Sequence, residues 1–178
     1  KGVAKPPIFT QNKNISIDGK FVDWETVSPE FKSHKGNTLE RNSAGWGDLV
    51  YKNTTGRNDI VASKVSSDND NLYFYVETAN PLSPSDGPAW MRLFIDTDRN
   101  GDTGWEGYDY VINRSNPGEK ATIEKNTGGW NWEIVDSLDW KMSANKMEIA
   151  VPKAVLKLNE AVNIEFKWSD NMQENGEI

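Results

Sequence analysis

The sequence contains no cysteine and only one histidine, His34. The lack of cysteine excludes disulfides, thiolate metal sites and cysteine nucleophiles. A single histidine excludes metal sites that need two, and it leaves one candidate for a serine–histidine triad. His34 lies in the polar stretch 32–36, where a solvated side chain is the simpler interpretation. No haem-attachment motif is present, and we expect neither a haem nor a nucleotide cofactor.

The sequence also lacks a long apolar run and an excess of basic residues. No stretch of eighteen apolar residues occurs, so no transmembrane helix is predicted. The formal net charge is −7, from 27 acidic and 20 basic residues. Nucleic acids and anionic membranes attract concentrated positive charge, so we expect neither nucleic-acid binding nor membrane insertion. Bound cations and neutral ligands such as sugars are compatible with this charge.

Hydrophobic residues are scarce at 36%, whereas aromatic residues reach 11% and include eight tryptophans. Aromatic side chains each bury a large area, so this combination is typical of a sheet protein with a thin core. A length of 178 residues without a Pro/Gly/Ser-rich linker suits one domain. We assign 1–14 to an N-terminal extension and 15–178 to the domain. The last ten residues contain no closing strand, so the domain could be truncated at its C-terminus.

Apolar and polar residues alternate with a period of two along much of the chain, which predicts β-strands. Turn-forming Asn, Asp, Gly and Pro clusters separate the segments. We predict about ten strands, at 15–18, 59–66, 71–78, 91–96, 108–113, 120–125, 130–135, 138–142, 147–151 and 162–169. This spacing favours an all-β, antiparallel sandwich of two sheets. At most one short helix is predicted, near 152–157, with Pro152 in its first turn.

Two stretches stand apart from this pattern. The segment 29–57 is long, polar and rich in Gly and Asn, and we expect a functional loop there. The segment 96–102 places oxygen-bearing side chains at alternate positions before a glycine, as in the first half of an EF-hand calcium loop. Its candidate metal ligands are Asp96, Asp98, Asn100 and Asp102. The bidentate Glu expected at position 12 is replaced by Gly107, so Glu106, Asp109 or another strand would have to complete a structural calcium site. The alternative is a turn whose side chains bond only their own backbone.

The tryptophans offer candidates for ligand binding, because sugar C–H faces stack on aromatic rings while carboxylates and amides bond the hydroxyls. Some tryptophans, such as Trp140 and Trp168, fall on apolar strand faces and are expected in the core. The candidate stacking residues are Trp46, Trp90, Trp105 and Trp130, and the candidate polar contacts are Arg92, Glu106, Asp109 and Asn113. The alternative is that each ring only covers an end of the sandwich. No carboxylate pair has a spacing that singles it out for glycoside hydrolysis, so we predict no enzyme activity.

Three groups of residues, in order along the chain, resemble the DOMON-like, family 9 carbohydrate-binding-module superfamily. They are Ile15-Ser16-Ile17-Asp18-Gly19 with Asp23-Trp24, the acidic turn and aromatic strand at 68–78, and Leu93-Phe94-Ile95-Asp96-Thr97-Asp98 with Gly104-Trp105-Glu106-Gly107-Tyr108-Asp109-Tyr110. The segments 55–61 and 166–171 are similar to those of sugar-binding-like domains in exported Bacteroidetes proteins.

This resemblance covers about 15–178 and implies a two-sheet sandwich, calcium in some members and a ligand held between aromatic rings. We therefore expect a non-catalytic carbohydrate-binding module of an exported bacterial protein, located in the periplasm, on the cell surface or outside the cell. Its expected partners are an oligo- or polysaccharide and the linked domains of a polysaccharide-processing enzyme, such as a glycoside hydrolase, or of a glycan-uptake protein. The alternative is a spacer sandwich, attached to a catalytic domain, with no ligand of its own.

Overall fold

The computed structural model describes residues 9–10, 12–38, 40–45, 47, 50–158 and 162–172. Twelve β-strands and one short 3-10 helix, Val22–Thr26, lie in these residues. The strands are β1 Phe31–Lys32, β2 Arg41–Ala44, β3 Val50–Asn53, β4 Ile60–Ser67, β5 Asn71–Thr78, β6 Arg92–Asp96, β7 Tyr110–Ile112, β8 Ala121–Gly128, β9 Asn131–Leu138, β10 Trp140–Ser143, β11 Lys146–Pro152 and β12 Glu165–Ser169. The predicted all-β class is confirmed.

Ten of the strands form two five-stranded antiparallel sheets. The first sheet has the order β1-β4-β5-β11-β10 and the second has the order β12-β6-β7-β8-β9. The remaining two strands, β2 and β3, form a separate hairpin. This arrangement is compatible with the predicted sandwich. No helix in the described part of the chain has the length and apolar character needed to cross a membrane.

The main core lies between the two sheets, and it forms because alternate residues of each strand point inward. Phe74 and Val76 of β5 belong to the same buried cluster as Leu93 and Ile95 of β6 and Ile112 of β7. Hence the odd-numbered residues of β6 point into the core. Its even-numbered residues, together with those that pair with them on neighbouring strands, point to the outward face of the second sheet.

A smaller core covers the outer face of the first sheet. Tyr73 and Tyr75 of β5 pack there with Ile15 and Trp24 of the N-terminal segment. The buried carboxylate of Glu148 fixes this segment, because its Oε2 accepts a hydrogen bond from Trp24 Nε1 at 2.8 Å and its Oε1 accepts two from backbone N–H groups. Burial raises the pKa of Glu148, although these hydrogen bonds oppose the rise.

Several sequence predictions are wrong in detail. Residues 153–157 form consecutive turns after β11 and not a helix, since Pro152 is the last residue of that strand. Residues 15–18 form no strand, although Ile15 is buried. The segment 29–57, predicted as a loop, contains β1, β2 and β3. The residues at the edge of the predicted N-terminal extension bond to the domain, as Thr10 N–H donates to Ser28 O and Lys13 N–H to Ser67 O.

Candidate functional site

Five aromatic rings gather on the outward face of the second sheet. We call Phe94, Trp105, Tyr108, Trp130 and Trp132 the aromatic face. Phe94, on β6, is nearly fully buried at its centre, with ring centroids at 5.3 Å to Trp105, 5.5 Å to Tyr108 and 6.3 Å to both Trp130 and Trp132. An apolar ring on an outward strand position is therefore covered by other rings rather than by a second sheet.

The indoles of the aromatic face pack edge to face. Trp105 and Trp130 have centroids 4.6 Å apart at an interplanar angle of 72°, and Trp130 and Trp132 are 5.5 Å apart at 85°. All three are half-buried, so part of each ring system remains in contact with solvent. Perpendicular rings form corners, and a pyranose can lie on one ring face while the edge of the next ring bounds it.

Two connections between strands present these rings. Trp105 and Tyr108 lie between β6 and β7, where each donates its backbone N–H to the other's carbonyl oxygen at 2.9 Å. Trp130 lies at the turn between β8 and β9, and Trp132 follows on β9. The two connections are linked through Asn126 of β8, because its backbone N–H donates to the carbonyl oxygen of Asp109 at 2.8 Å and its Nδ2 donates to the carbonyl oxygen of Gly129 at 2.8 Å.

Polar and charged side chains lie beside the rings on the same face. The guanidinium of Arg92 is 5.8 Å from the Trp130 ring centroid, within reach of a cation–π interaction. Glu124 of β8 pairs with Val111, which in turn pairs with Phe94, so its carboxylate shares their face. Glu124 is fully buried, and its Oε2 accepts a hydrogen bond from Arg114 Nε at 2.6 Å.

Several polar atoms of this face are buried and lack a hydrogen-bond partner. Among the described residues these are Arg92 Nε, Thr122 Oγ1, Glu124 Oε1 and Trp132 Nε1. A buried polar atom without a partner carries a desolvation cost of about 1–3 kcal/mol. Each such atom in a folded protein calls for an explanation, and a ligand that supplies the missing hydrogen bonds is one.

The structure brings together three of the predicted ligand-binding residues, namely Arg92, Trp105 and Trp130. Two others are wrong: Trp90 is fully buried in the core with Nε1 donating to Ser83, and Asn113 is fully buried with Nδ2 donating to Met91 O. Neither is accessible to a ligand. Glu106 is exposed in the loop beside Trp105. Trp46 lies outside the described residues.

Asp109 belongs to a different cluster, the carboxylates of Asp96, Asp98 and Asp109. One oxygen from each lies within 4.8 Å of the others, close enough to share a cation. Asp102, predicted as a fourth ligand, lies outside this group, and Asn100 Oδ1 accepts a hydrogen bond from the Asp102 backbone. We call Asp96, Asp98 and Asp109 the aspartate cluster.

The aspartates also bond their own loop. Asp96 Oδ1 accepts the backbone N–H of Asp98 and Arg99, and Asp109 Oδ2 accepts the N–H and hydroxyl of Thr97. No lysine or arginine forms an ion pair with the aspartate cluster within the described ranges. The cluster therefore concentrates negative charge that its local hydrogen bonds only partly offset.

Two grooves lie away from the aromatic face, along the edge between the two sheets. One of about 660 Å³ is lined by Phe31, Phe166 and Trp168 among others, and a second of about 520 Å³ shares Phe31 and Phe166. Trp168 Nε1 is buried without a partner. Asp170 in the larger groove is already paired with Arg57 at 2.8 Å, so this groove offers fewer free charges than the aromatic face.

Trp132, Glu124 and Thr122 complete the site but were not among the predicted residues. Strand alternation offered a signal for Trp132, since residues two apart on a strand share a face with each other. The same alternation places Glu124 and Thr122, which lie two residues apart on β8, on one face of the sheet. Comparison of the chain with family models, with curated proteins and with solved structures finds no match.

Proposed function

We propose that this protein is a non-catalytic carbohydrate-binding domain that holds a saccharide against the aromatic face. The observation that carries the proposal is the group of three half-buried indoles beside Arg92 and the half-paired carboxylate of Glu124. Indole faces accept the apolar side of a pyranose, and the unpartnered donors and acceptor match its hydroxyl groups. We further propose that the domain is exported and acts as one part of a larger polysaccharide-processing or glycan-uptake protein.

The proposal includes a structural calcium ion at the aspartate cluster. Calcium prefers carboxylate oxygens, and three of them converge here with no ion pair to a lysine or arginine in the part of the chain that the structure describes. Backbone and side-chain oxygens nearby, such as that of Asn100, would supply further ligands. Because Asp109 O accepts the Asn126 N–H, an ion at this cluster would stabilise both connections that carry the tryptophans.

Titration with oligosaccharides from glucans, xylans, pectins and host glycans tests the binding proposal by tryptophan fluorescence. A shallow, solvated site gains little free energy per hydroxyl exchanged from water, so we expect dissociation constants of about 0.1–1 mM. Trp130→Ala is expected to weaken binding about tenfold. Trp140→Phe on β10 is the matched control, since it also removes one half-buried indole but leaves the aromatic face intact.

Two outcomes would contradict this assignment in different ways. If no saccharide changes the fluorescence, the domain is a spacer that positions a neighbouring catalytic domain. If Trp168→Phe abolishes binding while Trp130→Ala does not, the saccharide occupies the groove between the sheet edges and the aromatic face is only a hydrophobic cover.

A further inference from the structure

Two cations on the outward face of the second sheet have no anionic partner. Arg92 and Lys167 form no ion pair within the described part of the chain. The carboxylates nearby already have partners, since Glu124 is paired with Arg114 and Glu165 with Arg99. Lys167 pairs with Phe94, and Ser169, two residues further along β12, pairs with Arg92. The two cations are therefore diagonal neighbours on adjacent strands, with Cβ atoms about 7–8 Å apart.

Both cations are half-buried, which makes their lack of a partner costly. Desolvation lowers the pKa of Arg92, the charge of Arg114 lowers it further, and Glu124 opposes both effects. Desolvation alone lowers the pKa of Lys167. A partly desolvated charge is stabilised by an opposite charge far more than a solvated one is.

The unpartnered hydrogen-bonding atoms of the site are mostly donors, and donors favour an anionic ligand as positive charge does. Three of the unpartnered buried atoms are donors or can donate, namely Arg92 Nε, Thr122 Oγ1 and Trp132 Nε1, whereas only Glu124 Oε1 is an obligate acceptor. Within the described residues of this face, the three cations Arg92, Arg114 and Lys167 have beside them one carboxylate that is not engaged elsewhere, that of Glu124, in a chain whose net charge is −7. Of the other carboxylates on the face, Glu165 is paired with Arg99 and Asp96 belongs to the aspartate cluster. An excess of donors and positive charge selects for a ligand with an anionic group.

We propose that the saccharide bound at the aromatic face is an acidic one, whose uronate carboxylate is held between Arg92 and Lys167 while its sugar ring stacks on Trp130. This proposal rests on the proposed function and specifies the class of its ligand. Arg92 is suited to the carboxylate because the planar guanidinium can donate two parallel hydrogen bonds, and Lys167 adds a point charge. Glu124 Oε1 accepts a hydrogen bond from a hydroxyl group of the same sugar.

Trp130 makes the binding event observable. Its ring centroid is 5.8 Å from the Arg92 guanidinium, and Arg92 Nε is buried. An occupant that reaches Arg92 therefore contacts or displaces this ring and changes its fluorescence.

The test compares each acidic glycan with its own neutral form. Oligomers of galacturonate, glucuronate and mannuronate are titrated beside the same oligomers after chemical reduction of the carboxyl groups to primary alcohols. The backbone, linkage and length are unchanged within each pair, so a difference reports the carboxylate. We expect at least one acidic oligomer to bind about tenfold or more tightly than its reduced form, with the difference shrinking as salt is raised.

Variants separate this proposal from the general binding function. Lys167→Gln is expected to remove most of the preference for the acidic form while leaving binding of the reduced form within about twofold, and Lys141→Gln on β10 of the other sheet is the control. Arg92→Gln is expected to weaken both forms, because Arg92 belongs to the site itself, and to weaken the acidic form more. Equal binding of acidic and reduced oligomers would overturn the acidic-ligand proposal and leave the carbohydrate-binding proposal standing. Absence of binding by either form, together with no response to the glucan, xylan, pectin and host-glycan panel, would overturn both.

Discussion

The carboxylate of Asp68 organises the turn between β4 and β5. Its Oδ1 accepts the backbone N–H of Asp70 and Asn71, and its Oδ2 accepts the hydroxyl of Tyr73 at 2.6 Å and Asn14 Nδ2 at 3.1 Å. Partial burial by itself raises the pKa of Asp68, but these hydrogen bonds outweigh it and lower the pKa to about 2. Burial, with the bond to Asp68 second, raises the pKa of Tyr73 to about 12.

These shifts predict a pH window for stability. The native pKa of Asp68 lies below its unfolded value near 3.8, so its contribution is present above pH 4 and is lost as the pH falls towards 2. We expect wild type to lose about 1 kcal/mol relative to Asp68→Asn over this range, after allowance for solvent screening. Denaturant unfolding at pH 5, 4, 3 and 2 measures this, with exposed Asp70→Asn as control. Parallel curves for wild type and Asp68→Asn would contradict it.

The connection between β6 and β7 depends on a glycine at one position. Gly104 adopts a φ of +66°, and a Cβ there would lie 2.2 Å from the carbonyl oxygen of Tyr108. That backbone cannot retreat freely, because Tyr108 and Trp105 are joined by two hydrogen bonds. This close approach of Gly104 to Tyr108 keeps the neighbouring Trp105 packed against Phe94.

We therefore expect Gly104→Ala to destabilise the protein by about 2 kcal/mol or more, from the left-handed backbone and the clash together. It should also weaken saccharide binding, since Trp105 must move. Gly101→Ala in the same loop is the control, because its φ is not in the left-handed range and a Cβ there meets no atom within 4 Å. Equal melting temperatures for the two variants, from circular dichroism, would show that the loop accommodates a side chain at position 104 and would contradict the prediction.

At the scale of elements, the sequence predicted strands well where apolar residues are dense enough to be buried. The prediction at 71–78 matches β5, because both of its faces are covered and Leu72 to Val76 are all buried. The strands β1 to β3 were not predicted, because β1 has two residues, β2 has all four residues exposed and the alternation of β3 extends over only four residues. The segment around Ile15 packs as an extended layer without pairing, so its apolar pattern was read as a strand.

The candidate site was only partly predictable for a related reason. Trp105 and Trp130 were found because they follow glycines in connections, where a large ring cannot be a routine core residue. Trp90 has a similar setting but is fully buried. The relation of Arg92 to Lys167 depends on which strands are neighbours, and the pairing of β12 with β6 joins segments about seventy residues apart. No local pattern contains that information.

At the scale of the whole molecule, the outward faces of the two sheets are covered in different ways. The outer face of the first sheet is covered by the N-terminal segment, which Trp24 and Glu148 fasten. The outward face of the second sheet is covered instead by the rings of the aromatic face. The two connections that present these rings are linked through the hydrogen bond to Asp109 O. The stability of the fold and the geometry of the site are thus coupled through the aspartate cluster.

This coupling gives a prediction for calcium. An ion that binds only the folded protein raises its stability by about 2.7 kcal/mol at a concentration one hundred times its dissociation constant. For a domain of this size, that corresponds to a rise in melting temperature of about 5–10 °C between chelator and saturating calcium. Saccharide affinity should rise with it, because a bound ion would hold both connections that carry the tryptophans.

Asp98→Asn separates an ion site from a simple turn. The variant keeps an oxygen for the hydrogen bonds from Asn100 N–H and Thr103 Oγ1, but it removes one of three crowded carboxylate charges. In chelator it should therefore be as stable as wild type or more so, and in calcium it should be less stable. Asp102→Asn, outside the cluster, should respond to calcium as wild type does. If calcium leaves the wild-type melting temperature unchanged, the aspartate cluster is a turn that bonds only its own loop and holds no ion. The fold would then tolerate the repulsion among three carboxylates without a ligand.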